Sequence, residues 1–541
     1  MLLLKISLFA FVLLRVTVAA AAEPSCGTRF VERYRQSGQA PVAKALEVLQ
    51  EKGEISLGTQ LDFPVFNRFF SMSATCRYIG EHSYIFVEDL QWDTNGGPVV
   101  QQDVDMLGEL FEHATPADPE RGIHDLSVEA FGPAPDVDGD ERIFIVVLDI
   151  GDSGKVGFFD RFVSMHSNPE LRRDMVYLDA TALRLRRYLA KGTLAHEFQH
   201  LIHWGHDDDE EIWVDEGLAG YAEEIAGFPE ADPAVVPAFL VKPDIDMTKW
   251  ANSDYNYGST YLFASFLAEK YGPEFIRRLV AESRNGIFGI NDALSSSGFE
   301  EDFTSVWNQW IVANFAGNDK IYGYAAVQGR RPYTFRAPSL PFEGIKGAVG
   351  DQWGAINIIF RLSGSLSVGF LGEQSGAYRV WLYALSAGAS RLTELELDEE
   401  NQGERVVVDV DSLVVIVGRT SSEGGLFELS AREIVIPTAV HAAPGSELPP
   451  QPVLETAYPN PFNSYMQIPF VLPVATALEL SLYNTLGQRL RVLRRGHHLA
   501  GRHEALWDGR DGAGKEVASG TYLVELQSQL GRVVRRMNLV R

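Results

Sequence analysis

The sequence predicts a multidomain protein, an α+β body followed by two β-sandwiches. Three observations predict it. At 541 residues the chain exceeds what one core organises. Helical spacing dominates residues 181–318, and short alternating strands replace it from about Gly350. Residues 437–455, PTAVHAAPGSELPPQPVLE, have no core-forming pattern and read as a linker between two such β regions. Hydrophobic content of 45% and charged content of 22% are ordinary for a globular chain.

The elements follow in order. Lys5, the apolar run 6–14 and the small residues 19–22 make a secretory signal over residues 1–22, interrupted only by Arg15. No other window is apolar for long enough to span a bilayer, so no membrane span is expected in the mature chain. Cys26 and Cys76 are the only cysteines. In an oxidising compartment a disulfide is their expected state, two buried thiols being the other reading. Neither is expected to be catalytic, since no neighbour in sequence supplies a base. Residues 42–52 read as a short helix, 74–92 as strands and 99–113 as a helix. RIFIVVLDI (142–150) is a strand buried on both faces. The divisions are 23–135 for an N-terminal α/β part, 136–330 for the region with the chemistry, 345–436 for the first sandwich and 456–541 for the second.

Formal net charge is −26, which argues against nucleic acid or an anionic membrane as partner. From Thr456 onward 11 Lys/Arg face 6 Asp/Glu, a net of +5, leaving −31 for the rest. The tail is a different module.

The chemistry is concentrated in TLAHEFQHLIHW. His196 and His200 are four apart on a helical segment, so both imidazoles share a face and can meet one tetrahedral ion. Glu197 lies beside them, placed to take a proton from a zinc-activated water. IWVDEGLAGYAEE follows, with Glu216 as third ligand candidate and Glu223, on the same face, as a carboxylate that could orient a histidine. Asp215 reads as solvated. Asp136, Asp138 and Asp140 alternate in DVDGDE, where calcium competes with a solvated turn; an EF-type spacing is not met. Asp207 to Glu211 read as a solvated loop.

HEFQH with WVDEGLAGYAE resembles the gluzincin metallopeptidases, and residues 74–272 resemble the hyicolysin-type secreted bacterial metallopeptidases. The resemblance implies an α+β zincin-like metallopeptidase domain, one catalytic Zn²⁺ on His196, His200 and Glu216, and Glu197 as general base. YNYG resembles a segment whose tyrosine donates to the oxyanion, which points to Tyr255, with Tyr257 next and His203 or His206 after it. A spacer of fifteen residues between His200 and Glu216 and the absence of a GxMEN-like segment favour an endopeptidase over an aminopeptidase. In the tail, YPNPFN, WDGRDGAG and SGTY resemble type IX secretion sorting domains and the Ig-like domain of flagellar hook-capping proteins. That implies a C-terminal Ig-like β-sandwich and bacterial export or cell-surface machinery as partner. The expectation is a secreted or surface-attached zinc peptidase acting on protein or peptide substrates. The competing reading is a catalytically weak surface adhesion or binding protein on the same scaffold.

Overall fold

A computed structural model describes residues 26–28, 54–65, 71–151, 154–166, 172–229, 231–317, 319, 322–337, 340, 342–386, 389–434, 449–463, 465–474, 476–498, 500–512 and 515–541. The leader (1–22), the helical reading of 42–52 and most of the linker lie outside them. The chain divides into two compact units, Met1–Glu433 and Ile434–Arg541.

The first unit opens with a six-stranded sheet in the order β1-β2-β3-β4-β6-β5. Its strands are β1 (Gln60–Phe63), β2 (Met72–Ile79), β3 (Ser83–Glu88), β4 (Ile143–Leu148), β5 (Gly157–Phe159) and β6 (Met175–Asp179). Strands β3, β4 and β6 run parallel, while β1–β2, β2–β3 and β5–β6 pair antiparallel. Parallel neighbours need crossovers. Helices α1 (Gln101–Glu112) and α2 (Ile123–Phe131) make the first; β5 and the short α3 (Arg161–Ser164) lie within the second. All six residues of β4 are buried. Ile143, Ile145 and Val147 join the large core with the helices, and Phe144, Val146 and Leu148 join a second core with Phe63 and Met72 on the other face.

After β6 the chain is helical: α4 (Ala180–Leu185), α5 (Arg187–His206), α6 (Ile212–Ile225), α7 (Val235–Val241), α8 (Asp254–Tyr271), α9 (Pro273–Val280), α10 (Gly286–Ser296) and α11 (Phe303–Ala316). Helix α5 is buried around most of its circumference from Gly192 to His203, which makes it a core helix, not an amphipathic surface one. Helices α6 and α8 approach closely because glycines line the contact. A Cβ on Gly217 would stand 2.8 Å from Thr260 O and one on Gly220 3.0 Å from Tyr261 Cβ, while Gly258 lets α8 approach α7, where a Cβ would stand 2.1 Å from Val235 O.

A second, seven-stranded antiparallel-dominated sheet follows: β7 (Thr334–Arg336), β8 (Phe342–Ala348), β9 (Ala355–Gly372), β10 (Tyr378–Ser386), β11 (Ala389–Glu394), β12 (Gln402–Arg419) and β13 (Leu426–Ile434). Strands β9 and β12 are 18 residues each, with register shifts at Val407/Val410 and Val410/Ser412. Such irregularities bend a strand. Ile358 and Phe360 accordingly share a core with Leu366, Val368 and Phe370 of the same strand. The outer side of this sheet is not free. Ala355, Tyr383, Val414 and Ile416 belong to the helical core, and Trp307 of α11 donates through Nε1 to Trp353 O at 3.0 Å.

The second unit is an antiparallel β-sandwich. One sheet is β14 (Val453–Leu454), β15 (Met466–Leu472) and β18 (Gly501–Trp507). The other holds β16 (Thr476–Asn484), β17 (Arg489–His498), β19 (Gly520–Ser528) and β20 (Gly531–Leu539) in the order β17-β16-β19-β20. Inward residues of both sheets, among them Ile468, Phe470, Leu480, Trp507 and Val524, form its core. Among the described residues no helix is long and apolar enough to cross a membrane.

Candidate metal centre

Helix α5 carries His196, Glu197 and His200, all buried, and α6 brings Glu216, also buried, against them. His196 Nε2 stands 3.3 Å from Glu216 Oε2, and His200 Nε2 stands 3.7 Å from the same oxygen. A fourth donor joins them from the far end of the chain. Cys26 Sγ lies 3.7 Å from His200 Nε2, and its thiol donates to Glu216 Oε1 at 3.9 Å. One donor atom from each of Cys26, His196, His200 and Glu216 lies within 4.8 Å of the others. Nitrogen, oxygen and sulfur ligands held tetrahedrally at about 2.0–2.3 Å from one zinc ion would stand roughly 3.3–3.8 Å apart. The two imidazole–carboxylate separations and the thiol–His200 separation fall in that range, and the Cys26–Glu216 contact, to the other carboxylate oxygen, lies just beyond it.

The surrounding carboxylates fix the imidazoles. His196 Nδ1 meets Glu223 Oε1 at 2.8 Å, and His200 Nδ1 meets Asp215 Oδ2 at 3.0 Å. Both rings therefore turn Nε2 toward the common point. Asp215 also holds His203 Nδ1 at 2.8 Å, and Glu223 accepts from Ala231 N at 3.3 Å. Asp215, read from the sequence as solvated, is buried and orients two histidines. Its neighbours in DDDEEIWVDE conceal it; the signal was its position one residue before Glu216 at the start of a helix.

The electrostatics tie the imidazoles to the anions around them. Burial disfavours an imidazolium at His196 and His200, yet both are held well above the ordinary histidine value. Cys26, Glu216 and Glu223 outweigh burial at His196; Asp215, Glu216 and Cys26 do so at His200. Glu216 is itself drawn down to about 2: burial would raise it, but the two histidines prevail. Burial raises Glu197, against the pull of His196 and His200. Its Oε2 accepts from Thr28 Oγ1 at 2.7 Å, and its buried Oε1 has no hydrogen-bond partner.

The cysteines correct the expected disulfide. Both are free and buried. Cys26 is in the cluster, whereas Cys76 sits in β2, its Sγ 3.4 Å from Tyr78 O and its pKa pushed by burial up to about 11.

The other candidates have contacts of their own. The Tyr255 ring lies under Lys242 Nζ, 4.9 Å from the centroid. Tyr257 packs edge-on against Trp250, its hydroxyl 3.4 Å from Asn252 Oδ1. His206 Nε2 lies 3.1 Å from Pro133 O. Asp136 and Asp138 are joined by Asp174, while Asp140 accepts from Tyr84 Oη at 2.8 Å and pairs with Arg142 at 3.3 Å. The three alternating carboxylates therefore do not converge as a set. Asp136 and Asp138 accept from the backbone of their own turn, at Gly139 N and Asp140 N.

An alignment of 301 residues, covering 50% of this chain, is 22% identical to the neutral metalloprotease ShpI of Staphylococcus hyicus and spans 63% of that protein's length. The family model of the FlgD Ig-like domain matches residues 469–532. Among solved structures, the pre-peptidase C-terminal domain of a Bacillus anthracis collagenase aligns over 98% of its length with 19% of this chain, at 16% identity and a TM-score of 0.17. PorZ, a surface component of the type IX secretion system of Porphyromonas gingivalis, aligns over 15% of its length with 23% of this chain, at 20% identity and a TM-score of 0.14.

Proposed function

We infer that the first unit is a zinc-dependent peptidase, with His196, His200 and Glu216 as protein ligands and Glu197 as general base. The observation that carries this reading is the set of donor separations, 3.3 to 3.9 Å, in a buried cluster. The distant likeness to a neutral metalloprotease over half of the chain supports it. When bound, a zinc ion there supplies Lewis acidity toward a peptide carbonyl and toward the attacking water. Glu197 takes the proton from that water. Its free Oε1 and its raised pKa suit a group that accepts a proton and then hands it to the leaving amine. Glu223 holds His196 in the tautomer that presents Nε2 inward, and Asp215 stands 3.0 Å behind His200 Nδ1. Protein substrates fit the likeness to a neutral metalloprotease, and the fifteen-residue spacer between His200 and Glu216, shorter than that of the aminopeptidases, favours endopeptidase action. Tyr255 remains the proposed oxyanion donor on the strength of YNYG alone. The C-terminal module serves export or surface attachment, which puts the working enzyme outside the cell.

The test is zinc content together with casein hydrolysis, measured on the full chain and on the Cys26→Ala chain, since the thiol stands at the site. One zinc per chain is expected. His200→Ala should lose it. Glu197→Gln should keep both zinc and melting temperature while hydrolysis falls by about 100- to 10,000-fold. An active Glu197→Gln protein would sink the mechanism.

A further inference from the structure

The segment Cys26–Thr28 touches three separate parts of the site. Cys26 Sγ fills the fourth corner of the donor cluster, the corner a hydrolytic zinc site keeps open. Two residues on, Thr28 Oγ1 donates to Glu197 Oε2 at 2.7 Å and accepts from Phe159 N at 2.8 Å. Between them, Gly27 N donates to Gly157 O at 2.8 Å, and Cys26 bridges to Gly157 in the parallel sense. Strand β5 is the edge of its sheet, so the segment occupies the unpaired backbone groups onto which an extended peptide would add. It is also closely fitted. A Cβ on Gly27 would stand 2.8 Å from Gly157 O and 3.1 Å from Phe158 Cβ. Beneath it, a Cβ on Gly157 would meet Thr193 and, at 3.1 Å, Glu197 Cγ, so the edge strand lies directly on the motif helix. The pocket beside His200 is lined by Thr28, Phe159 and Trp204, so the segment forms part of its wall.

From these contacts we propose that Cys26–Gly27–Thr28 is an inhibitory plug, in which the Cys26 thiolate is the fourth ligand of the metal and Thr28 occupies the base. This rests on the metal-site reading above. Plug and substrate need the same three things: the fourth coordination position, the Glu197 carboxylate and the β5 edge. Binding one excludes the other. Activation is then a ligand exchange. The Cys26 sulfur–metal bond breaks, the thiolate takes up a proton from solvent, and water enters the vacated position. Severing the chain just beyond Thr28 would make that exchange irreversible, because the thiol then loses its tether and its high local concentration.

Loading the full chain with Co²⁺ in place of Zn²⁺ separates the possibilities. The wild-type protein should bind one cobalt and show a thiolate-to-cobalt charge-transfer band. Cys26→Ser should keep the metal, lose the band and, with zinc, hydrolyse casein on the order of 100-fold faster, the factor expected when a state filled in about 99% of molecules is emptied. A second measurement does not depend on the variant's folding. In the folded wild-type chain, iodoacetamide should modify Cys26 only after chelation of the metal, leaving buried Cys76 unmodified throughout. Metal bound without a charge-transfer band, or a Cys26 alkylated equally with and without metal, overturns the plug and leaves the peptidase reading standing. A chain that binds no metal overturns both.

Discussion

Asp215 makes two buried contacts that a purely structural carboxylate would not need to share, 3.0 Å to His200 Nδ1 and 2.8 Å to His203 Nδ1. Carboxylates behind metal-binding histidines typically contribute about 10- to 100-fold to metal affinity. Asp215→Ala should therefore weaken zinc retention by roughly that factor, read by competition with a chromogenic chelator. Unchanged affinity would show that His200 holds its orientation without the carboxylate. At this scale the sequence displayed its local chemistry well. His196 and His200 could be paired because a spacing of four on a helix puts both on one face, and the structure gathers them with Glu216 in one buried cluster. Cys26 could not be paired in this way, being 174 residues from His200 and brought to it only by the sheet edge. Asp215 could not either, because burial within an acidic run cannot be read from composition.

Between α5 and α6 the chain makes a second polar junction, centred on Glu210. Its Oε1 accepts from Gly286 N at 2.7 Å, at the first residue of α10, so a loop carboxylate ties down an orphan donor at a helix start. Burial raises Glu210 to about 7, against an ordinary 4.5. The sign follows from linkage. The folded state holds this proton more tightly, so the stability it lends is complete below pH 4.5 and is lost as pH rises through 7. Glu210→Gln keeps an acceptor for Gly286 and removes the titration. Thermal melts should show the variant more stable than wild type at pH 8, by at most about 3 kcal/mol, with the gap closing below pH 4.5. A gap that widened in acid would contradict the assignment. Elements were legible where a period was long enough to read. The unbroken apolar run of β4 did mark a strand buried on both faces. Strand β5, three residues long, offered no period at all, yet it forms the edge beside the cluster.

As a whole the molecule is two units of opposite charge, and the compact division falls at Glu433/Ile434. Removing residues 434–541 should leave the first unit folded, with its zinc and its peptidase activity intact, and one melting transition fewer than the full chain. Loss of metal from a folded truncate would refute this. The change in texture near Gly350 was plain in the sequence, because alternating strands replace helical spacing there. What it could not convey is that one side of the new sheet is roofed by the old core. Trp307 and Phe303 of α11 meet Trp353 edge-on, with ring centroids 5.4 and 4.8 Å apart, and a Cβ on Gly418 of β12 would stand 2.6 Å from Trp307. That aromatic wall has a practical consequence for anyone excising the enzyme. A fragment cut where the helices end would present Phe303, Trp307 and Ile311 to water as one greasy face and should aggregate on expression. The smallest soluble form of the first unit is the one that keeps its sheet, so the seven strands should stay with the metal-centre helices through any processing event.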